Sequence, residues 1–277
     1  MEDDPVAIDL NVDGALLLRE LVGIDTYPLV LAVWPNILRR DDRDRVYAVV
    51  TEELTEVGIL EDGRVHPVVE HWVRCLARPD IELAARIATA GPDGGLPSEV
   101  LRMSLVRNGD THVLAVRSDD HVVIQSVFHE GRGLETLAAA LAAALGSAPA
   151  LTFEPLTVST GQMHEFPEEQ EERRRALMEL GAHPRSALVL SRAFDEIHRR
   201  AEILMIEHQD GTDPQPDLCF SVFDTESGRF AVTPRIALDG ETRVTYSPGD
   251  DAALRTGVEA LVELLPGRSW FDTSRIR

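Results

Sequence analysis

The chain has 277 residues, with 48 Asp and Glu against 27 basic residues and a formal net charge of -21. Affinity for nucleic acid comes mostly from neutralising phosphates with cations, and anionic membranes attract basic segments, so this balance argues against both as partners. Apolar residues make up 44% of the chain, enough over this length to bury a core without disulfides or metals.

The start, MEDDPVAIDL, lacks the basic stretch and apolar run of a secretory signal, and no run approaches about 18 apolar residues. A soluble cytoplasmic protein without membrane insertion is expected. Cys75 and Cys219 lie far apart in apolar surroundings with no CxxC pattern, which predicts two buried thiols in a reducing compartment.

Val6, Ile8 and Leu10 alternate as a short strand, and Asp13 is placed to cap a helix from about Ala15 to Val22. Tyr27 to Trp34 reads as a strand ending at Pro35. Asp41 to Val57 carries Val46, Val49, Val50, Leu54 and Val57 on one helical stripe and stops at Gly58. Pro67 to Ala77 is a further helix.

Four strand-like runs follow, Ile81–Ala88, Val100–Arg107, His112–Arg117 and His121–Phe128. Asn108-Gly109-Asp110 is strong hairpin chemistry, because Asn and Gly tolerate positive φ. A helix from about Leu134 to Leu145 ends at Gly146. The pattern then returns, with strands at Glu202–His208, Leu218–Phe223, Arg229–Ile236 and Thr242–Tyr246 and a helix over Asp251–Leu265. The repeat offset is about 120 residues, longer than solenoid periods.

This order predicts one α+β domain over residues 1–277, a central antiparallel sheet with flanking helices in two quasi-symmetric halves from an internal duplication. Half one covers about 1–150 and half two about 201–277. Between them Gly161 to Arg200 forms a helical insertion, one helix to about Leu180 and one from Pro184 to His198. Its EEQEERRR run places acid before base, as suits a solvated helix face. Edge strands of such a sheet leave a monomer or a weak homodimer as the expected state.

Catalytic motifs are sparse. The sequence has no GxSxG elbow, HExxH site, Walker loop or EF-hand loop. Gly131-Arg132-Gly133 opens a helix but lacks the third glycine of a dinucleotide fingerprint. His112 and His121, on adjacent strands, are read as able to face each other, with Asp119 and Asp120 in the intervening turn. A small-ligand-binding protein or enzyme on a duplicated α+β fold is therefore the alternative reading, and it needs those four side chains to converge in a cleft.

Four stretches, taken in order and spacing, resemble the EspG proteins, chaperones of ESX (type VII) secretion in actinobacteria. They are Val12-Asp13-Gly14 with its following helix, LARPDIELAARI (Leu76–Ile87), LRMSLVRNGDTHVLAVRSDDHVVI (Leu101–Ile124), and the closing strand and helix TRVTYSPGDDAALRTGVEALVELLP. The resemblance implies a cytosolic chaperone, not an enzyme, that grips the apolar tip of a PE–PPE-type heterodimer with a sheet and a helical bundle. It implies no cofactor and no metal. It also implies a client-facing loop at Thr89–Ser98, here Thr89, Gly91, Pro92, Asp93, Gly94, Gly95 and Leu96. The helical insertion would line the same site with Phe166, Leu177, Met178, Leu188 and Phe194 left exposed.

Overall fold

The computed structural model describes residues 4–92, 95–163, 167–212, 214 and 216–275. Strand β1 (Ala7–Asn11) leads directly into helix α1 (Val12–Val22). The cap of α1 is Asn11, whose side chain accepts from the Gly14 N–H at 2.7 Å, and not Asp13 as expected. Helix α2 spans Arg40–Glu56, a small hairpin follows in β2 (Leu60–Glu61) and β3 (Arg64–Val65), and α3 spans Pro67–Ala77. The hairpin turns on Asp62 and Gly63, both at positive φ, an Asp-Gly signal that the sequence reading passed over.

The first meander is β4 (Ile81–Thr89), β5 (Glu99–Asn108), β6 (Thr111–Ser118) and β7 (His121–Ser126), followed by α4 (Glu135–Leu145). An edge strand β8 (Leu156–Ser159), the turn α5 (Thr160–Met163) and the hairpin of α6 (Gln170–Glu179) and α7 (Pro184–Ala193) come next. The second meander is β9 (Ile197–Glu207), β10 (Phe220–Thr225), β11 (Gly228–Ile236) and β12 (Thr242–Pro248), closed by α8 (Asp251–Leu264).

All ten long strands join one sheet in the order β1-β7-β6-β5-β4-β9-β10-β11-β12-β8. Every neighbouring pair is antiparallel, and β4 and β9 pair along their length, from Ile81 opposite Glu207 to Thr89 opposite Arg199. The order reads alike outward from this central pair: a meander of four strands, an added edge strand, and a helix after the fourth strand.

Two further expectations fail for physical reasons, and one strand was not expected. Tyr27–Trp34 is not a strand, because Pro28 and Pro35 lack the N–H a ladder needs. It folds instead as a 3-10 turn at Leu29–Leu31 with Ala32 left-handed, while the buried Tyr27 hydroxyl donates to the Ala15 carbonyl at 2.9 Å. The helix expected to reach His198 stops at Ala193, passes through a 3-10 turn at Phe194–Glu196, and gives way to β9 at Ile197. The polar run His198-Arg199-Arg200 hides the start of a strand that β4 requires as its partner. Strand β8 was not foreseen, since four residues carry too little alternation.

The helices distribute unevenly over the two faces. On one face α4 and α8 pack against each other and cover the centre, where Leu137, Leu141, Leu254 and Val258 meet Ile81, Leu83, Met103, Leu105 and Ile203. The opposite face carries two separate packs. Helices α1 to α3 cover β1, β7 and β6 through Leu16, Leu18, Val69, Trp72, Val113 and Ile124. Helices α6 and α7 cover the other margin, where Leu177 and Leu190 meet Phe230, Val232 and Tyr246. Between these packs, β4, β9 and β10 form the floor of a groove.

Candidate functional site

The groove floor is read from the strand register. Side chains of one face alternate along a strand, and cross-strand partners share that face. Arg86 on β4 lies opposite Arg102 on β5 and Glu202 on β9, Arg102 lies opposite Arg117 on β6, and Glu202 lies opposite Ser221 on β10. This gives one row across five strands, Arg117-Arg102-Arg86-Glu202-Ser221. The next row toward the β4–β5 loop is Val100, Ala88, Arg200 and Phe223. The row on the other side includes Ser104, Ala84 and Leu204. Glu202 and Arg200 are exposed, and Arg86, Arg102, Leu204, Ile206, Ser221 and Phe223 are half-buried, whereas their alternates Ala85, Met103, Ala201, Ile203 and Val222 are buried under α4 and α8.

The groove has two walls. On the α1 side the 3-10 turn at Leu29–Leu31 packs over β4, β5 and β6, leaving Leu29 exposed. Arg117 is consumed here, donating to the carbonyls of Leu31, Ala32 and Asp119. Among the described residues Arg102 makes one polar contact, 3.5 Å to the Val30 carbonyl. On the other side stands the α6–α7 hairpin, braced by buried Arg173. That residue donates to the carbonyls of Ser191, Pro167 and Glu168 and pairs with Asp195.

The charges of the floor differ in how they are satisfied. Glu82, buried on this face, accepts from the Ser104 hydroxyl at 2.8 Å and meets His208 Nε2 at 3.3 Å. Arg86 has a 3.7 Å ion pair with Glu202, the two side chains 33% and 46% exposed. Burial, together with the neighbouring Arg86 and Arg117 charges, holds Arg102 below the usual guanidinium range. A row of like charges directly opposite one another is destabilising in a sheet.

The residues expected to meet a client fall in several places. The β4–β5 loop sits at one end of the groove, tied by the Ser98 N–H to the Thr89 carbonyl and the Ala90 N–H to the His198 carbonyl. Gly91 is required there, because a Cβ would lie 1.9 Å from the Leu96 carbonyl oxygen. Pro92, Gly95 and Leu96 are exposed, Leu96 at 88%. Asp93, Gly94 and Phe166 lie outside the described residues.

On the hairpin, Met178 and Leu188 are exposed. Leu177 is not: it is fully buried in the α6–α7 core, which corrects the expectation that it faces a client. It lies on the helix face that meets Leu190 and Phe230, while Met178 is turned outward. Phe194 is half-buried, edge-on to the Phe230 and Tyr246 rings at 5.7 and 6.0 Å, with the Arg173 guanidinium over it. Sequence reasoning missed the sheet floor. Its signal was the placing of Glu82 and Arg86 at alternate positions of an otherwise apolar strand.

The constellation required by the enzyme reading does not form. The β6–β7 turn puts Ser118 opposite His121, so His112 belongs beside Val127, whose N–H donates to its carbonyl at 2.9 Å. The two histidines therefore occupy opposite ends of the hairpin, His112 buried and His121 exposed. Asp120 is placed to accept from the Val12 N–H at 3.4 Å. Among the described residues no group of three His, Cys, Asp or Glu side chains is arranged to hold a metal ion, and no helix is long and apolar enough to cross a membrane. Of the thiols, Cys75 is buried as expected but Cys219 is only half-buried, its Sγ 3.4 Å from the Ser221 hydroxyl at the groove floor.

Comparison with known proteins places this fold. The model of the EspG family matches residues 11–260. The chain is 30% identical over 272 residues to the ESX-1 secretion-associated protein EspG1 of Mycobacterium tuberculosis, covering 98% of this chain and 91% of that protein. It is 30% identical over 275 residues to the ESX-3 secretion-associated protein EspG3 of Mycolicibacterium smegmatis, covering 96% and 90%. Among solved structures, the M. tuberculosis type VII secretion system chaperone EspG5, determined in complex with a PE25-PPE41 dimer, superposes with a TM-score of 0.79 at 20% identity, over 97% of this chain and 100% of that one.

Proposed function

The chain belongs to the EspG family, and from that premise we propose that it is a cytosolic, non-enzymatic chaperone that binds the apolar tip of a PE–PPE-type pair and keeps it soluble for type VII export. The groove floored by β4, β9 and β10 is the binding surface, with the β4–β5 loop at its end and the outward face of the α6–α7 hairpin, Met178 and Leu188, on its wall. The observation that carries this reading is the half-exposed strip between two helical packs. An antiparallel sheet can leave one face to water, but this strip carries half-buried Leu204, Ile206 and Phe223 beside exposed Leu29, and apolar surface left open marks a place for a partner. The solved relative EspG5 has the same fold and was determined with a PE25-PPE41 dimer bound.

A long helical hairpin with an apolar tip self-associates when that tip is free. A cap of standard size, burying on the order of 1,200 to 2,000 Å² in total, removes the patch from water. The net charge of -21 keeps the loaded complex apart from its copies.

The test is co-expression of the chain with each PE–PPE-type pair encoded near its gene, followed by size exclusion. A stoichiometric complex with at least one pair is expected. Failure to form a complex with any of them defeats the reading. Fractionation of cells then checks that the complex resides in the cytosol.

A further inference from the structure

We propose that the cationic row on the groove floor, Arg86 and Arg102 with Arg200 beside it, receives a carboxylate carried by the client's helical tip. The inference rests on the chaperone reading above and adds to it a chemical requirement on the client: an Asp or Glu set within, or flanking, its apolar tip.

Three observations carry it. First, the row is electrostatically costly, and only its Arg117 end is tied closely into the fold. Arg86, Arg102 and Arg117 stand directly opposite one another across β4, β5 and β6, an arrangement of like charges that destabilises a sheet. Arg117 repays that cost by binding the Leu31 and Ala32 carbonyls. Among the described residues Arg102 keeps one polar contact, 3.5 Å to the Val30 carbonyl, and Arg86 the 3.7 Å pair with Glu202.

Second, the chain closes the arginines that it buries. Arg107 donates to the carbonyls of Trp270, Gly109 and Thr273 and pairs with Asp80. Arg229 forms a two-pronged pair with Asp224, at 2.6 and 3.0 Å, and caps the Leu145 and Gly146 carbonyls. Arg86 and Arg102, half-buried on the floor and held by long contacts, keep guanidinium donors open to the groove where the buried arginines do not.

Third, the sign is opposite to that of the molecule. Arg86, Arg102 and Arg200 against Glu202 leave a positive spot inside a chain of net charge -21. A groove walled by low-dielectric protein focuses such a local field. The guanidinium fork matches a carboxylate in a two-pronged geometry that an ammonium or an amide cannot reproduce. Half-buried Leu204 and Phe223 beside it supply apolar contact, so the fitting group is an acidic side chain on an apolar protein surface.

The experiment uses the full chain and a PE–PPE-type pair that the wild-type protein retains on size exclusion. Arg102→Gln and Arg86→Gln are each expected to weaken binding about fivefold and the double variant about thirtyfold, with a shallower dependence on NaCl between about 50 and 300 mM. Arg102→Glu should be rescued by reversing one tip Asp or Glu of the client to Arg. Lys at both positions keeps the charge and loses the fork, and is expected to fall between wild type and the double Gln variant. The charge reversal decides the matter if the Gln forms melt early.

A double Gln variant that melts like wild type and binds within twofold of it, with an unchanged salt slope, overturns the inference and leaves the chaperone reading intact, as does failure of every charge reversal on the client tip to restore binding to Arg102→Glu. If the wild-type chain retains no pair at all, the chaperone reading fails and takes this inference with it.

Discussion

Trp270 donates its indole N–H to Nε2 of His112 at 3.0 Å, joining the segment after α8 to the start of β6 across 158 positions of sequence. Around this bond the segment is strapped to the sheet. Arg107 donates to the carbonyls of Trp270 and Thr273, and Asp80 accepts from the backbone N–H of Arg275 at 2.8 Å. The strap closes the end of the core under α4 and α8, where Trp270 is 1% exposed.

The strap is sensitive to acid. Burial, with the neighbouring His129 and Arg107 charges acting the same way against the backbone of Asp110, pushes His112 down from 6.5 to about 4. A neutral ring must accept from Trp270, and a protonated ring cannot. Because the folded value is depressed, the stabilisation is fully present above pH 6.5 and is lost as pH falls toward 4. The loss at pH 5 is about 2 kcal/mol. Thermal unfolding at pH 7 and pH 5 checks this against His112→Gln, which keeps an acceptor without titrating. The wild type should lose distinctly more stability than the variant, and equal losses would dismiss the His112 assignment.

Gly257, in the middle of α8, is held to its size by Phe220. A Cβ there would come within 2.4 to 2.5 Å of the Phe220 ring, which is fully buried against the sheet. Alanine ordinarily gains up to about 1 kcal/mol over glycine in a helix interior. Here overpacking outweighs that gain, and Gly257→Ala is expected to destabilise by about 1 to 3 kcal/mol. Urea unfolding midpoints check the sign, and Phe220→Leu added to Gly257→Ala should recover part of the loss.

Much of this fold was legible where local chemistry decides it. The meander β5-β6-β7 follows from alternation and two tight turns. Gly109 takes the positive φ of the first turn and Asp119 that of the second. Helix α8 follows from Asp250 accepting at Ala253 and from its apolar stripe. What depended on distant pairing was not legible. Nothing local says that Glu202 lies opposite Arg86, 116 positions away, because the β4–β5 loop and the α6–α7 insertion leave the register free. The groove floor is a product of that register. The loop and hairpin expectations came from a family resemblance, and burial then divided them, with Leu177 inside and Met178 and Leu188 outside.

That division makes a prediction about the hairpin. Leu177→Asp places a charge in a closed core and should cost several kcal/mol, lowering the melting temperature or melting the α6–α7 unit outright. Phe194→Asp strips the ring that packs on Phe230 and Tyr246 and should also destabilise. Leu188→Asp and Met178→Asp lie outside and should shift stability by no more than about 0.5 kcal/mol while weakening client retention on size exclusion. Full retention by folded Leu188→Asp would remove this wall from the binding surface.

The two thiols report separately on the core and on the groove. Burial pushes the Cys75 thiol up to about 11, and the residue is 2% exposed on the inward face of α3. Cys219 is half-buried, next to Ser221 on the floor of the groove. Thiolate is the reactive form, so native alkylation with iodoacetamide near pH 8 should modify Cys219 and spare Cys75. Peptide mass spectrometry reads the two sites independently. A client seated between the helical packs covers the floor, so the complex should be alkylated at Cys219 at least tenfold more slowly than the free chain, while Cys75 stays inert in both. Equal Cys219 rates in free chain and complex would move the client off the centre of the sheet and onto its rim.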